Sequence, residues 1–92
     1  MTQIAAEDAK RRLATLPGWK IDSGELVKTF QFKDFREALA FVNRVGEAAE
    51  SAGHHPDIDI RYNRVRLALV THDAGGLTEK DFNLATTVNK FV

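Results

Sequence analysis

The chain has 92 residues, with 43% hydrophobic and 28% charged. That is enough for one domain over residues 1–92 but too short for two cores, and too apolar to be disordered throughout. Thirteen basic residues balance thirteen acidic ones and there is no cysteine. This leaves no basic excess for non-specific nucleic-acid binding, and excludes disulfides, thiolate metal sites and a cysteine nucleophile.

Residues 5–15 read as a short helix, with Ala6, Ala9, Leu13 and Leu16 near one face. Glu7 and Asp8 come early and Lys10, Arg11 and Arg12 late, an order that suits the helix dipole. Pro17-Gly18 stops it, and a short strand over 18–21 follows, containing Trp19 and Ile21. Asp22-Ser23-Gly24 is a turn into a strand over 25–32, where Leu26, Lys28, Phe30 and Phe32 share a face. Asp34 opens the longest helix, residues 35–52, with Glu37 placed for a capping box and Gly53 as the stop. Its apolar positions form a stripe wider than one sheet contact needs. Either the helix is buried on a broad front, or one flank meets a second subunit. Phe41, away from the Phe35-Leu39-Val42 line, is the position assigned to that flank.

Two further strands span 57–62 and 65–71, joined by Asn63-Arg64. This loop pairs Tyr62 with Val65, Ile60 with Leu67 and Ile58 with Leu69, all on one face. Residues 73–77 form a loop, and Thr78 caps the last helix with Asp81 at its third position. Phe82, Ala85, Val88 and Val92 give that helix its inner face. The predicted fold is α+β, in the order αββαββα, with three helices on one face of a four-stranded antiparallel sheet. A core this small and a sheet with two open edges favour a homo-oligomer.

The chemistry-bearing residues cluster late in the chain. All three histidines lie between positions 54 and 72. His54-His55-Pro56 links the long helix to the third strand, and His72 ends the fourth. Pro56 biases His55 toward an extended backbone, so the two neighbouring rings point to opposite sides. Adjacent histidines rarely aim at one ion, and no helical histidine pair is present, so a metal site fits poorly. Acid–base chemistry fits better, since an imidazole can both give and take protons near neutral pH. Glu50, four residues before His54, either holds an imidazole or is a solvated surface acid. Asp81 is a helix cap, and a site residue only if that helix start faces the histidines. Gly75-Gly76 ahead of a helix either cradles an anion or forms a plain loop, the plain loop being favoured. Trp19 is either a site wall or a packed core residue, the core being favoured.

The spacing Glu50-x3-His54-His55-Pro56-x5-Tyr62-x9-His72-x8-Asp81 resembles the signature of the pterin-4a-carbinolamine dehydratases. Phe32-Lys33-Asp34-Phe35, Gly18-Trp19, Thr71-His72, Gly76-Leu77-Thr78 and Asn83-Leu84-Ala85 extend the similarity from about residue 16 to the end. Ala5 stands where relatives often have Ser or Thr, so the first helix has a weaker cap. The resemblance implies a hydro-lyase that dehydrates 4a-hydroxytetrahydropterin to quinonoid dihydropterin, with no metal or organic cofactor, acting as a homodimer or homotetramer. It implies His54 and His72 as acid–base groups, His55 as a binder of the pterin, and Glu50 and Asp81 as orienting residues. It also places the backbone around Gly53 and through Val70, Thr71, His72 and Asp73 at the amide edge of the pterin.

Two alternatives stand beside this reading. One is a non-catalytic dimerisation or regulatory module of the same fold. The other is a dehydratase-like protein acting on a molybdopterin-type compound. The N-terminal residues lack the basic and apolar regions of a secretory signal, and no apolar run is long enough to span a membrane. The expectation is a cytoplasmic protein that acts on a small molecule and binds neither membrane nor nucleic acid.

Overall fold

In the computed structural model, which describes residues 2–92, the elements follow the predicted order. They are α1 (Ala6–Leu13), β1 (Lys20–Asp22), β2 (Glu25–Gln31), α2 (Phe35–Ala52), β3 (Asp57–Arg61), β4 (Arg64–Leu69) and α3 (Glu79–Asn89). A single turn of 3-10 helix, His72–Ala74, lies between β4 and α3. The sheet order is β1-β2-β4-β3, antiparallel throughout. The crossover through α2 therefore carries the chain from β2 to the far edge, and β4 returns to the centre.

One core joins the sheet to the helices. Leu26 and Phe30 of β2 and Val65, Leu67 and Leu69 of β4 are buried with Ala38, Phe41, Val45 and Ala49 of α2 and Phe82, Ala85 and Val88 of α3. Alternation along the strands places Thr29, Gln31, Asp59, Arg61, Arg64 and Arg66 on the other face. The Asp34 side chain accepts from the Glu37 N–H at 2.9 Å, and the Glu37 carboxylate reaches back to the Lys33 N–H at 3.2 Å. The start of α2 is thus capped in both directions, with the return arm falling one residue earlier than in a standard capping box. Ala5, by contrast, makes no side-chain cap for α1.

The β3–β4 register differs from the predicted one. Ile60 pairs with Val65 and Ile58 with Leu67, and the turn is Tyr62-Asn63 rather than Asn63-Arg64. The cause lies outside the hairpin. The Asn63 side chain donates to the Phe32 carbonyl, and the Asn63 carbonyl accepts from the Phe32 N–H, both at 2.8 Å. These bonds hold Asn63 against the end of β2 and leave Tyr62 at the turn, with φ of 52° and 68% exposure. A shift of two residues keeps the same side chains on the same face, so the apolar pattern survives.

The assignment of Phe41 to an intersubunit flank is also corrected. Phe41 is 4% exposed and packs its ring against Phe30 and Phe32, with centroids 4.6 and 4.9 Å away. The uncovered flank of α2 is the opposite one. Phe35 and Leu39 are 46% and 43% exposed, and Ile58 on the neighbouring edge strand β3 is 39% exposed.

Candidate active site

The site forms where the end of α2, the end of β4 and the start of α3 meet. Gly53, at φ 63°, ends α2 in the left-handed conformation that glycine adopts without steric cost. Its N–H bonds to the Glu50 carbonyl at 3.2 Å and the His54 N–H to the Ala49 carbonyl at 3.1 Å, which is a Schellman motif. The motif sets the direction in which His54-His55-Pro56 leaves the helix.

The two adjacent imidazoles then go to different carboxylates. His54 is buried, and its Nε2 lies 2.5 Å from Oδ1 of Asp81, which is fully buried. His55 is exposed and pairs through Nε2 with the exposed Glu50. Glu50 thus holds an imidazole, but His55 rather than His54.

Asp81 has a second set of bonds. Its Oδ2 accepts from the Thr78 N–H at 2.9 Å, capping α3, and from the Thr71 hydroxyl at 2.9 Å. One carboxylate therefore ties together the start of α3, Thr71 two residues past the end of β4, and His54. The start of α3 thus faces His54. Each buried side-chain polar atom among the described residues has a partner, so the cluster is fully satisfied.

His72 directly follows Thr71, so its backbone is joined to the same cluster through one peptide bond. It begins the 3-10 turn rather than ending β4, is exposed, and makes no side-chain hydrogen bond among the described residues. The loop that carries it is closed by its own backbone. Thr71 N–H bonds to the Gly76 carbonyl at 3.1 Å, Gly75 N–H to His72 at 3.0 Å, and Gly76 N–H to Thr71 at 3.4 Å. Gly75 takes φ of 74° at the bend. The two glycines therefore direct their N–H groups into the loop and do not form an anion cradle.

Other sequence-derived site residues lie on the segments that lead into and out of this cluster. Pro56 continues the extended segment after His55, half-buried, and leads into β3. Val70 is half-buried between β4 and Thr71, while Asp73 is exposed in the 3-10 turn. The Thr71 backbone is engaged on both sides within the loop, and its side chain bonds Asp81. Gly53 likewise uses its N–H to close α2, leaving its carbonyl for other partners.

Trp19 is not part of the cluster. It is buried, meets Phe30 edge-on, and donates from Nε1 to the Asn89 side chain at 2.9 Å. Asn89 lies eight residues after Asp81 along α3, about 12 Å of helix. Lys28 shares the same Asn89 oxygen at 2.9 Å, and burial pushes its ammonium below the usual lysine range. This is a core-closing contact at the other end of the helix. Thr78 is the cluster member that sequence reasoning read only as a cap. Its hydroxyl lies 2.7 Å from that of Thr71, and nothing in local spacing signals this bond.

Arg12 of α1 braces the helix start. Its guanidinium forms a two-point ion pair with Glu79, one bond being 2.9 Å, and lies over the Phe82 ring at 5.6 Å. Hydrogen bonding to Glu79 holds Arg12 above its usual range, and the same bonds hold Glu79 below the usual carboxylate range.

Fold and site together define an αββαββα domain with a histidine–carboxylate cluster at one end of its sheet. The sequence profile described as pterin 4 alpha carbinolamine dehydratase matches residues 2–91. A protein of Acidobacterium capsulatum, provisionally named a pterin-4-alpha-carbinolamine dehydratase, is 60% identical over 88 residues, covering 96% of each chain. A crystal structure from Brucella melitensis, described as a transcriptional coactivator/pterin dehydratase, superposes with a TM-score of 0.93 at 32% identity over 97% of each chain. A pterin dehydratase-like protein described as a RuBisCO assembly factor in the alpha-carboxysome shares the fold, with a TM-score of 0.64 and 23% identity over 78% of this chain and 83% of that one. The chain belongs to the pterin-4a-carbinolamine dehydratase family.

Proposed function

We propose that this protein is a hydro-lyase that converts 4a-hydroxytetrahydropterin to quinonoid dihydropterin and water by histidine acid–base catalysis. The observation that carries this reading is the different setting of each of the three imidazoles. His54 is fastened to buried Asp81, His55 is paired with exposed Glu50, and His72 is exposed beside the same cluster without a side-chain partner among the described residues.

The reaction needs two proton transfers. The 4a-hydroxyl takes a proton as its bond to C4a breaks and leaves as water. N5 loses its proton, and the electron pair left behind forms the C4a–N5 double bond. One protonated and one neutral imidazole do both, each transfer contributing about 10²–10⁴-fold. His54 and His72 are assigned these roles. His55, braced by Glu50 and kept extended by Pro56, binds the ring. The Gly53 carbonyl and the segment Val70 to Asp73 meet the amide edge of the pterin. No metal or organic cofactor takes part. His54 and His55 are each turned to a separate carboxylate, which is a poor arrangement for sharing one ion.

The active form is a symmetric homo-oligomer in the cytoplasm, regenerating the pterin used by aromatic amino-acid hydroxylases. Exposed Phe35, Leu39 and Ile58, next to the open edge of β3, support self-association. Among the described residues, no helix is long and apolar enough to cross a membrane. The coactivator description of the Brucella relative supports a second reading, a regulatory module of this fold, and a molybdopterin-type substrate is a third.

Stopped-flow dehydration of chemically prepared 4a-hydroxytetrahydropterin separates these readings. The dehydratase accelerates water loss well above the buffer rate and keeps doing so after exhaustive chelation. Loss of activity on chelation contradicts the acid–base mechanism, and no acceleration at all favours the regulatory module or the other substrate.

A further inference from the structure

The Thr78 hydroxyl is fully buried and takes no part in the chemistry above. Its bonding direction can be worked out from its neighbours. Asp81 Oδ2 accepts the Thr78 N–H, so it also acts as an acceptor toward Thr71. The Thr71 hydroxyl has one proton and gives it to Asp81. Across the 2.7 Å contact, Thr71 is then the acceptor and Thr78 the donor. The order runs from the Thr78 O–H to Thr71 and from the Thr71 O–H to Asp81 Oδ2, while Asp81 Oδ1 meets His54 Nε2 at 2.5 Å, a contact whose donor depends on the imidazole tautomer.

We propose that Thr78 is a positioning residue whose hydroxyl, through Thr71 and Asp81, holds His54 in the Nε2–H form and leaves Nδ1 as the nitrogen available to substrate. Every hydroxyl in the relay is held in one rotamer by the next. Removing the first donor leaves the Thr71 oxygen without its partner and its side chain free to turn about χ1, and a turn of that kind takes from the carboxylate one of the bonds that fix its plane. A histidine whose ring orientation is set by a carboxylate depends on that carboxylate being fixed. The proposal rests on the dehydratase reading for its kinetic consequence and on the buried geometry alone for its effect on His54.

The test compares Thr78→Val, which keeps the branched shape without the hydroxyl, with Thr78→Ser, which keeps the hydroxyl. Two quantities are read: the His54 tautomer from nitrogen-15 NMR of the imidazole, and kcat and KM from stopped-flow dehydration. Wild type and Thr78→Ser hold His54 as the Nε2–H tautomer with similar kcat. Thr78→Val mixes the tautomers and lowers kcat by about tenfold, a partial loss of an acid–base contribution, with KM within about twofold. If Thr78→Val does not fold, Thr78→Ala takes its place, because it also removes the hydroxyl and asks for no more space than Thr. An unchanged His54 tautomer overturns the proposal even if kcat falls, since a lost cap alone would do that. An equal fall in kcat for Thr78→Ser also overturns it. A wild-type protein without dehydratase activity defeats the functional reading instead, and the NMR comparison still decides the role of Thr78.

Discussion

His54 and Asp81, 27 residues apart in the chain, meet at 2.5 Å where the end of α2 reaches the start of α3. Their neighbours His55 and Glu50 form a second pair on the exposed side of the same turn. The two pairs have similar chemistry and opposite burial, and burial decides what each contributes.

Removing Asp81 leaves a buried imidazole, a hydroxyl and a helix N–H without their acceptor. Asp81→Ala is expected to destabilise the fold by about 3 kcal/mol or more, since each of these buried groups left without a partner costs about 1–3 kcal/mol. Glu50→Gln removes an exposed pair and should change stability by less than about 1 kcal/mol. Urea denaturation of the two variants checks the contrast, and equal effects would contradict it.

The α2 helix offers a second contrast. Phe41→Glu buries a charge among Phe30 and Phe32 and should prevent folding, since loss of a core phenylalanine alone costs about 3–5 kcal/mol. Leu39→Glu alters an exposed position and should leave the fold intact while weakening self-association. Circular dichroism with sedimentation equilibrium reads both. A wild-type chain that sediments as a 10.3 kDa monomer at micromolar concentration would remove the case for an oligomer.

These residues show what was legible in the sequence and what was not. Element order and strand faces follow from local periodicity, which is why the αββαββα fold could be read directly. The β3–β4 register could not, because offsets of zero and two residues leave Ile58, Ile60, Val65 and Leu67 on the same face. It is decided by Asn63 bonding to Phe32, 31 residues away. The phase of α2 was ambiguous for a similar reason. Phe35 and Phe41 are equally apolar, and the rings of Phe30 and Phe32 receive Phe41 in the core. At the site, the histidines and carboxylates were identifiable by spacing. Which carboxylate holds which histidine depends on the Schellman turn at Gly53.

The Arg12–Glu79 pair predicts a pH dependence. Glu79 is held below its unfolded value, so its contribution is fully present above the unfolded carboxylate pKa of about 4.3 and is lost as pH falls through the lowered folded value. Both groups are exposed, so the effect is modest and screened by salt. Comparing stability from about pH 5 down to pH 2, Glu79→Gln should flatten the curve relative to wild type. Parallel curves for the two proteins would show that the pair does not secure the start of α3.

The central claim is acid–base catalysis by histidines gathered around Asp81, and the most direct measurement is the dehydration rate of 4a-hydroxytetrahydropterin with wild-type and His72→Ala protein at pH 7. His72 is exposed and has no side-chain partner among the described residues, so its removal should leave the fold intact. The account predicts strong acceleration by wild type and a fall of roughly one to four decades in the variant. A folded His72→Ala protein that turns over at the wild-type rate would contradict it.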